Sequence, residues 1–182
     1  SLHVILGAIP FFIAGFFFHC LVASCLRSME MIDIATIIFG LLLGLADWLG
    51  ARRKSVGQMD RFDALLIGLA QVLALIPGTS RSGVTMTMAR FIGYSRPEAA
   101  RFAMLLSIPA IGGAAVLGLI DVYQAGSWRF GTDLAVAAML AALSAFAAIA
   151  VMMRWLEKAS FMPFVIYRLT LGTGLLAFVY LY

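Results

Sequence analysis

Three stretches of this chain contain no Asp, Glu, Lys or Arg: Leu2–Leu26, Phe102–Ile120 and Leu134–Met153. Each is close to the roughly 20 residues that a helix needs to cross a bilayer. A water-soluble core has no need of such runs. The composition agrees: hydrophobic residues make up 63% of the chain and charged residues 12%, against about 25% charged in soluble domains. Mean hydropathy is +1.02. Irregular or charged segments are tolerated in hydrocarbon only where protein or a polar cavity surrounds them. The reading is an all-α polytopic membrane protein, a single transmembrane domain over residues 1–182.

Five segments are long enough to span: about Leu2–Leu26, Met31–Gly50, Pro97–Ile120, Leu134–Trp155 and Phe161–Leu181. Phe62–Gly93 behaves differently. Its first half stops at Pro77–Gly78, and its second, Ser82 to Gly93, is shorter still. At 1.5 Å per residue neither half crosses a core of about 30 Å. A re-entrant helical hairpin with Pro77–Gly83 at its tip resolves this, and broken helices of that kind commonly carry membrane-depth binding sites.

The positive charges favour the same arrangement. A re-entrant hairpin puts Ala51–Arg61, Tyr94–Arg101 and Arg154–Ser160 on one side, with Arg52, Arg53, Lys54, Arg61, Arg96, Arg101, Arg154 and Lys158. The opposite loops hold only Arg27 and Arg129. The positive-inside rule assigns the basic side to the cytoplasm. A fully crossing segment would weaken that asymmetry. The net charge of +4 is thus topological, and without a contiguous basic face no nucleic-acid partner is expected. Cys20 and Cys25 read as small buried hydrophobes ahead of a disulfide. The first run lacks the basic flank of a signal peptide, and the chain opens at Ser1 in an already apolar context.

The tip, P-G-T-S-R-S-G-V-T from Pro77 to Thr85, has the chemistry of an anion cradle. If the second half-helix begins near Ser80 or Arg81, then Thr79, Ser80 and Ser82 are candidate caps. The first-turn N–H groups and the helix dipole then face the tip. Arg81 offers a planar fork of donors suited to phosphate oxygens. Gly78 and Gly83 allow unusual backbone angles and close approach. Thr85 lies one turn beyond Arg81 on the same face. The structural alternative is an arginine that braces a helix break, with the hydroxyls as caps.

Gly68 to Thr85, G-L-A-Q-V-L-A-L-I-P-G-T-S-R-S-G-V-T, resembles a signature of the bacterial undecaprenyl-diphosphate phosphatases of the bacitracin-resistance type. Gly93 to Ala110 and F-M-P-F-V-I-Y-R from Phe161 to Arg168 are similar to the same family. The resemblance covers essentially the whole chain. The P-S-G-H motif of the other membrane lipid phosphatases is absent. The resemblance implies an inverted-repeat enzyme of the bacterial inner membrane, with its active site facing the periplasm. Such an enzyme removes the terminal phosphate of undecaprenyl diphosphate, recycles the carrier for peptidoglycan synthesis and confers bacitracin resistance. It casts Ser80, Arg81 and Thr85 as catalytic, with Gly78, Thr79, Ser82 and Gly83 shaping the substrate loop. The family's other signature, a glutamate-rich hairpin ending in Ser-Ser-Thr-Gly-His, is absent from these residues and would lie before Ser1. His3 and His19 lack its context. The chain alone is therefore expected to have weak or no activity.

Mg²⁺ or Ca²⁺ is an expectation from the family only, as no acidic pair lies near the tip. The partners expected are a polyprenyl diphosphate and membrane lipids, and the reading admits a homodimer. A broken helix is also transporter architecture, so the alternative function is a polyprenyl-phosphate flippase or anion binder without hydrolysis. Arg168, eight residues into the last apolar run, either contacts phosphate or braces the hairpin, or else makes a structural pair. Gln71 bonds either the opposing hairpin or the substrate. Asp47 reads as an exposed charge near a helix end, and Met86 and Met88 as lipid or core contacts. Pro10, Pro109 and Pro163 are expected to kink helices, and Gly112, Gly113 and Gly118 to allow close helix packing.

Overall fold

The computed structural model describes residues 2–25, 28–50, 54–124 and 131–181; the side chains of 18–25, 117, 119, 121–124 and 131–133 fall outside this description. Arg27, Arg52, Arg53 and Arg129, and the side chains of His19, Cys20 and Cys25, therefore lie outside the described residues. Among the described residues seven α-helices follow one another: α1 (Leu2–Cys25), α2 (Met29–Leu49), α3 (Arg61–Val72), α4 (Arg81–Phe91), α5 (Arg96–Gln124), α6 (Gly131–Lys158) and α7 (Met162–Leu181). Local chemistry starts several of them. Ser28 accepts from the Met31 N–H at the head of α2, and Asp60 accepts from the Asp63 N–H at the head of α3, each satisfying an orphan donor of the first turn.

Among the described residues four helices are long and apolar enough to cross a membrane: α2, α5 over Arg96–Val116, α6 over Leu134–Lys158, and α7. α1 has 24 residues, and its apolar stretch is described over Leu2–Phe17. The surface is apolar where a soluble protein's is polar. Phe146 is 77% exposed, whereas Arg90 is fully buried.

The segment between α2 and α5 is a re-entrant hairpin. α3 runs through one 3-10 turn, Leu73–Leu75, to the tip, and α4 returns. The 11 residues of α4 reach only about 16 Å, near half the hydrocarbon thickness. Its two ends lie side by side: the Lys54 N–H donates to Gly93 O at 3.0 Å and the Ser95 N–H donates to Lys54 O at 3.1 Å. The chain therefore leaves where it entered.

Asp47 ties that end together, and here the structure corrects the sequence expectation. It is 3% exposed. Arg96 grips its carboxylate with Nε at 2.6 Å and Nη2 at 2.9 Å, and the Phe161 N–H donates to it at 3.2 Å. Arg90 lies 3.4 Å away and donates to the carbonyls of Asp47, Gly50 and Tyr94. The helix end is buried because the hairpin base and the α6–α7 turn fold over it. Lys54, Arg96 and Lys158 thus share one end of the molecule.

α4 sits between two apolar clusters. Ile67, Ala89, Phe102 and Leu106 form one with α1 and α5; Leu43, Met86, Leu156, Phe161 and Val165 form the other with α2, α6 and α7. Of the three glycines expected to allow close helix approach, Gly113 does so, and two outside that set, Gly68 and Gly172, are packed more tightly still. A Cβ on Gly68 would overlap the Gly7 carbonyl of α1, and a Cβ on Gly172 would stand 2.7 Å from Ile37 of α2. Gly112 and Gly118 have no described neighbour within 4 Å, while Gly113 packs on Phe12. Pro10 and Pro109 lie inside helices. Pro163, second in α7, instead starts one.

Candidate functional site

The hairpin tip has two residues at positive φ, Gly78 at 92° and Ser80 at 65°. For a serine this is a sparsely populated conformation that costs on the order of 1–3 kcal/mol. What holds it is a clasp of neighbouring helices. Arg168 of α7 donates through Nη2 to Gly78 O at 2.7 Å and through Nη1 to Thr79 O at 2.8 Å. Its Nε donates to Thr36 O of α2 at 3.3 Å, and the Thr36 hydroxyl donates to Gly78 O at 3.1 Å or to Ile32 O at 2.8 Å. Arg168 therefore braces the hairpin. A sequence reading could not find Thr36, because its partner lies 42 residues away; the one available signal was a lone hydroxyl within an apolar span.

Ser80 caps α4, its Oγ accepting from the Gly83 N–H at 3.3 Å and standing 3.4 Å from Ser82 Oγ. Helix geometry leaves the N–H groups of Arg81 and Ser82 at the open end, where the dipole is positive. Arg81 is half-buried, and its guanidinium has no hydrogen bond or ion pair among the described residues.

A cavity of about 370 Å³ opens beside the tip. It gathers Gly78, Ser80, Ser82, Gly83, Arg168 and Thr36. The other sequence-predicted residues, Arg81, Thr79, Thr85 and Gln71, are not among its lining. Thr79 is buried and its hydroxyl donates to Ile76 O at 2.8 Å. Thr85 is buried and its hydroxyl serves the carbonyls of Arg81 and Ser82 within α4, both at 3.0 Å. Gln71 is 1% exposed, and neither amide atom has a partner among the described residues. Met86 lines the cavity, as a core contact should.

Arg81 itself is not among the lining residues, and the Arg168 guanidinium there is engaged with the carbonyls of Thr36, Gly78 and Thr79. The donor set at the opening, an open helix N-terminus, two hydroxyls and one guanidinium's positive charge, suits an oxyanion. It does not suit a metal. Among the described residues no three His, Cys, Asp or Glu side chains cluster, and hard cations take carboxylate and carbonyl oxygens in number.

Residues 1–174 match the family described as bacitracin resistance protein BacA. The chain belongs to this family. It is 46% identical over 180 residues to the undecaprenyl-diphosphatase of Hahella chejuensis, covering 97% of this chain and 66% of that protein. It is 52% identical over 154 residues to undecaprenyl-diphosphatase 1 of Rhodospirillum rubrum, covering 85% and 55%. With the undecaprenyl-diphosphatase of Clavibacter michiganensis it shares 42% identity over 173 residues, covering 95% and 64%. The chain thus spans between about half and two thirds of the length of these relatives. The family match takes in the whole hairpin and Arg168.

Proposed function

We propose that this chain carries one half of the active site of a membrane phosphatase that converts undecaprenyl diphosphate to undecaprenyl phosphate and inorganic phosphate. The observation that carries the reading is the conjunction at the tip: a capped, strained helix N-terminus whose hydroxyls line a cavity, with Arg81, which has no partner among the described residues, as the first residue of that helix. In this reading the α4 N–H groups, Ser80 and Ser82 hold the terminal phosphate. Arg81 swings to it and neutralises the charge that develops on the transferred phosphoryl group, the main work in such reactions. Thr85 and Thr79 fix the loop through their carbonyl bonds, and Arg168 holds the tip carbonyls away from the anion. Gln71 is the reserve polar group behind the tip.

The acidic residues and any divalent ion belong, on this proposal, to a segment corresponding to the part of the relatives that the chain does not span. The enzyme sits in the bacterial inner membrane with the basic end in the cytoplasm and the site reached from the periplasm. Its product is the lipid carrier of cell-wall synthesis, which accounts for bacitracin resistance.

The test is phosphate release from a polyprenyl diphosphate in detergent, by this chain alone and by the chain fused to the part of the Hahella relative that it does not span. We expect release from the fusion, little from the chain alone, and a fall of at least about a hundredfold in the fusion for both Arg81→Ala and Ser80→Ala. Full activity of Arg81→Ala would sink the reading. Saturable binding without release would favour a carrier instead.

A further inference from the structure

The cavity beside the tip is polar at one end only. Thr36, Gly78, Ser80, Ser82, Gly83 and Arg168 line that end, while Leu43, Met86, Met152, Phe161 and Phe164 line the other. Helix geometry sets the order. Leu43 lies seven residues beyond Thr36 on α2, and Phe161 lies seven before Arg168 at the start of α7. Each is therefore displaced about 10 Å toward the Asp47 end. The result is a slot with an anion-binding head and an apolar arm.

The arm has a closed floor and an open side. Leu43, Met86 and Phe161 belong to the buried cluster beneath it. Phe164, Tyr167 and Leu171 form an outer wall and are 38%, 64% and 41% exposed. Met152 of α6 also lines the slot, and the α6 residues before it are exposed and apolar. The open side therefore meets hydrocarbon. A ligand that fits has an anionic head joined directly to a flexible hydrocarbon tail, and methionines adapt well to such a tail.

Resting on the proposed phosphatase reading, we propose that this arm is the tail subsite. The isoprene units next to the diphosphate lie against Met86, Met152 and Phe164, and the rest of the polyprenyl chain leaves sideways between α6 and α7. Continuity with the polar head selects this groove over the other apolar one. The groove between α1 and α3, lined by Ile9, Ile13, Phe17, Leu65 and Leu69 among others, has no polar side chain and shares no residue with the tip. It offers a lipid no head group site.

The experiment uses the whole chain in detergent, and needs binding only. Dissociation constants are measured for farnesyl diphosphate and for inorganic pyrophosphate, and a farnesyl diphosphate with a diazirine in its first isoprene unit is photolysed on the protein. We expect farnesyl diphosphate to bind at least about tenfold tighter than pyrophosphate, with label on Met86, Met152 or Phe164. Met152→Trp should fill the arm and reduce the preference to within about threefold, and Phe164→Ala, at a partly exposed position, should reduce it about threefold. Leu69→Trp, in the other groove, should keep it. Pyrophosphate binding without a prenyl preference, or label on Leu65 or Leu69, overturns the tail subsite alone. Failure of both ligands to bind overturns the head-group reading and this one with it.

Discussion

Gly83 is where the start of α4 and the guanidinium of α7 come nearest: a Cβ there would stand 2.9 Å from Arg168 Nη1. The obstacle is the end of a flexible side chain, but moving it loosens the grip of Arg168 on the Gly78 and Thr79 carbonyls that holds the strained tip. Gly83→Ala should therefore cost about 1–3 kcal/mol. The same loss should reach the site, and we expect diphosphate affinity to drop at least about tenfold, read by titration beside a lowered melting temperature. Gly78→Ala should act through the backbone instead. It combines φ of 92° with overlap onto the Ile32 carbonyl, and backbone cannot step aside. We expect a loss of about 2–3 kcal/mol, seen as a lower melting temperature whether or not ligand is present. The motif marked both glycines as special. It could not say which obstacle each avoids, because Arg168 is 90 residues from Gly78 and Ile32 belongs to another helix.

The base of the hairpin depends on two buried polar clusters. Asp47 faces Arg90 and Arg96, and removing one member of a buried ion pair leaves the others uncompensated. Asp47→Ala should therefore destabilise by about 3–5 kcal/mol and expose the 50–60 connection to protease; a mutant as stable and as resistant as the parent would contradict this. In the second cluster the Tyr94 hydroxyl donates to Asp63 at 2.7 Å while Lys54 pairs with the same carboxylate at 3.0 Å. Burial above all, then the bond to Asp63 and the charges of Asp63 and Asp60, push the Tyr94 hydroxyl up from its ordinary value. Since the folded form holds the proton more tightly, this contribution to stability is complete below about pH 10 and is lost as pH rises above it. Tyr94→Phe should flatten the decline in melting temperature between about pH 9 and 11. The helices themselves were legible from apolar intervals, and the hairpin from a proline–glycine break. Asp47 was not. A carboxylate three residues from a helix end reads as solvated until the segments 43 to 114 residues away that cover it are in place.

At the scale of the whole molecule, the basic end gathers what the sequence scatters. The hairpin base, the start of α5 and the α6–α7 turn converge on Asp47, so Lys54, Arg61, Arg96 and Lys158 lie near one level. Ser28, which caps α2, lies 21 helical residues from that end, about 30 Å along the axis. A membrane placed across this span must put Ser28 on one side and the basic cluster on the other. On the proposed orientation the charge bias puts the cluster in the cytoplasm. Single cysteines test it, in a background lacking Cys20 and Cys25. Gly57→Cys has room, with its nearest neighbour Ser55 Oγ at 3.8 Å, while Glu157 and Ser28 are exposed. In intact spheroplasts a membrane-impermeant maleimide should label Ser28→Cys and leave Gly57→Cys and Glu157→Cys untouched; inverted vesicles should reverse the pattern. The discriminating pair is Gly57 with Glu157. A hairpin that leaves where it enters keeps them together, whereas a segment that crossed would put them on opposite sides and label one of the two in each preparation. That split result would overturn the re-entrant topology, and with it the depth at which the hairpin tip sits.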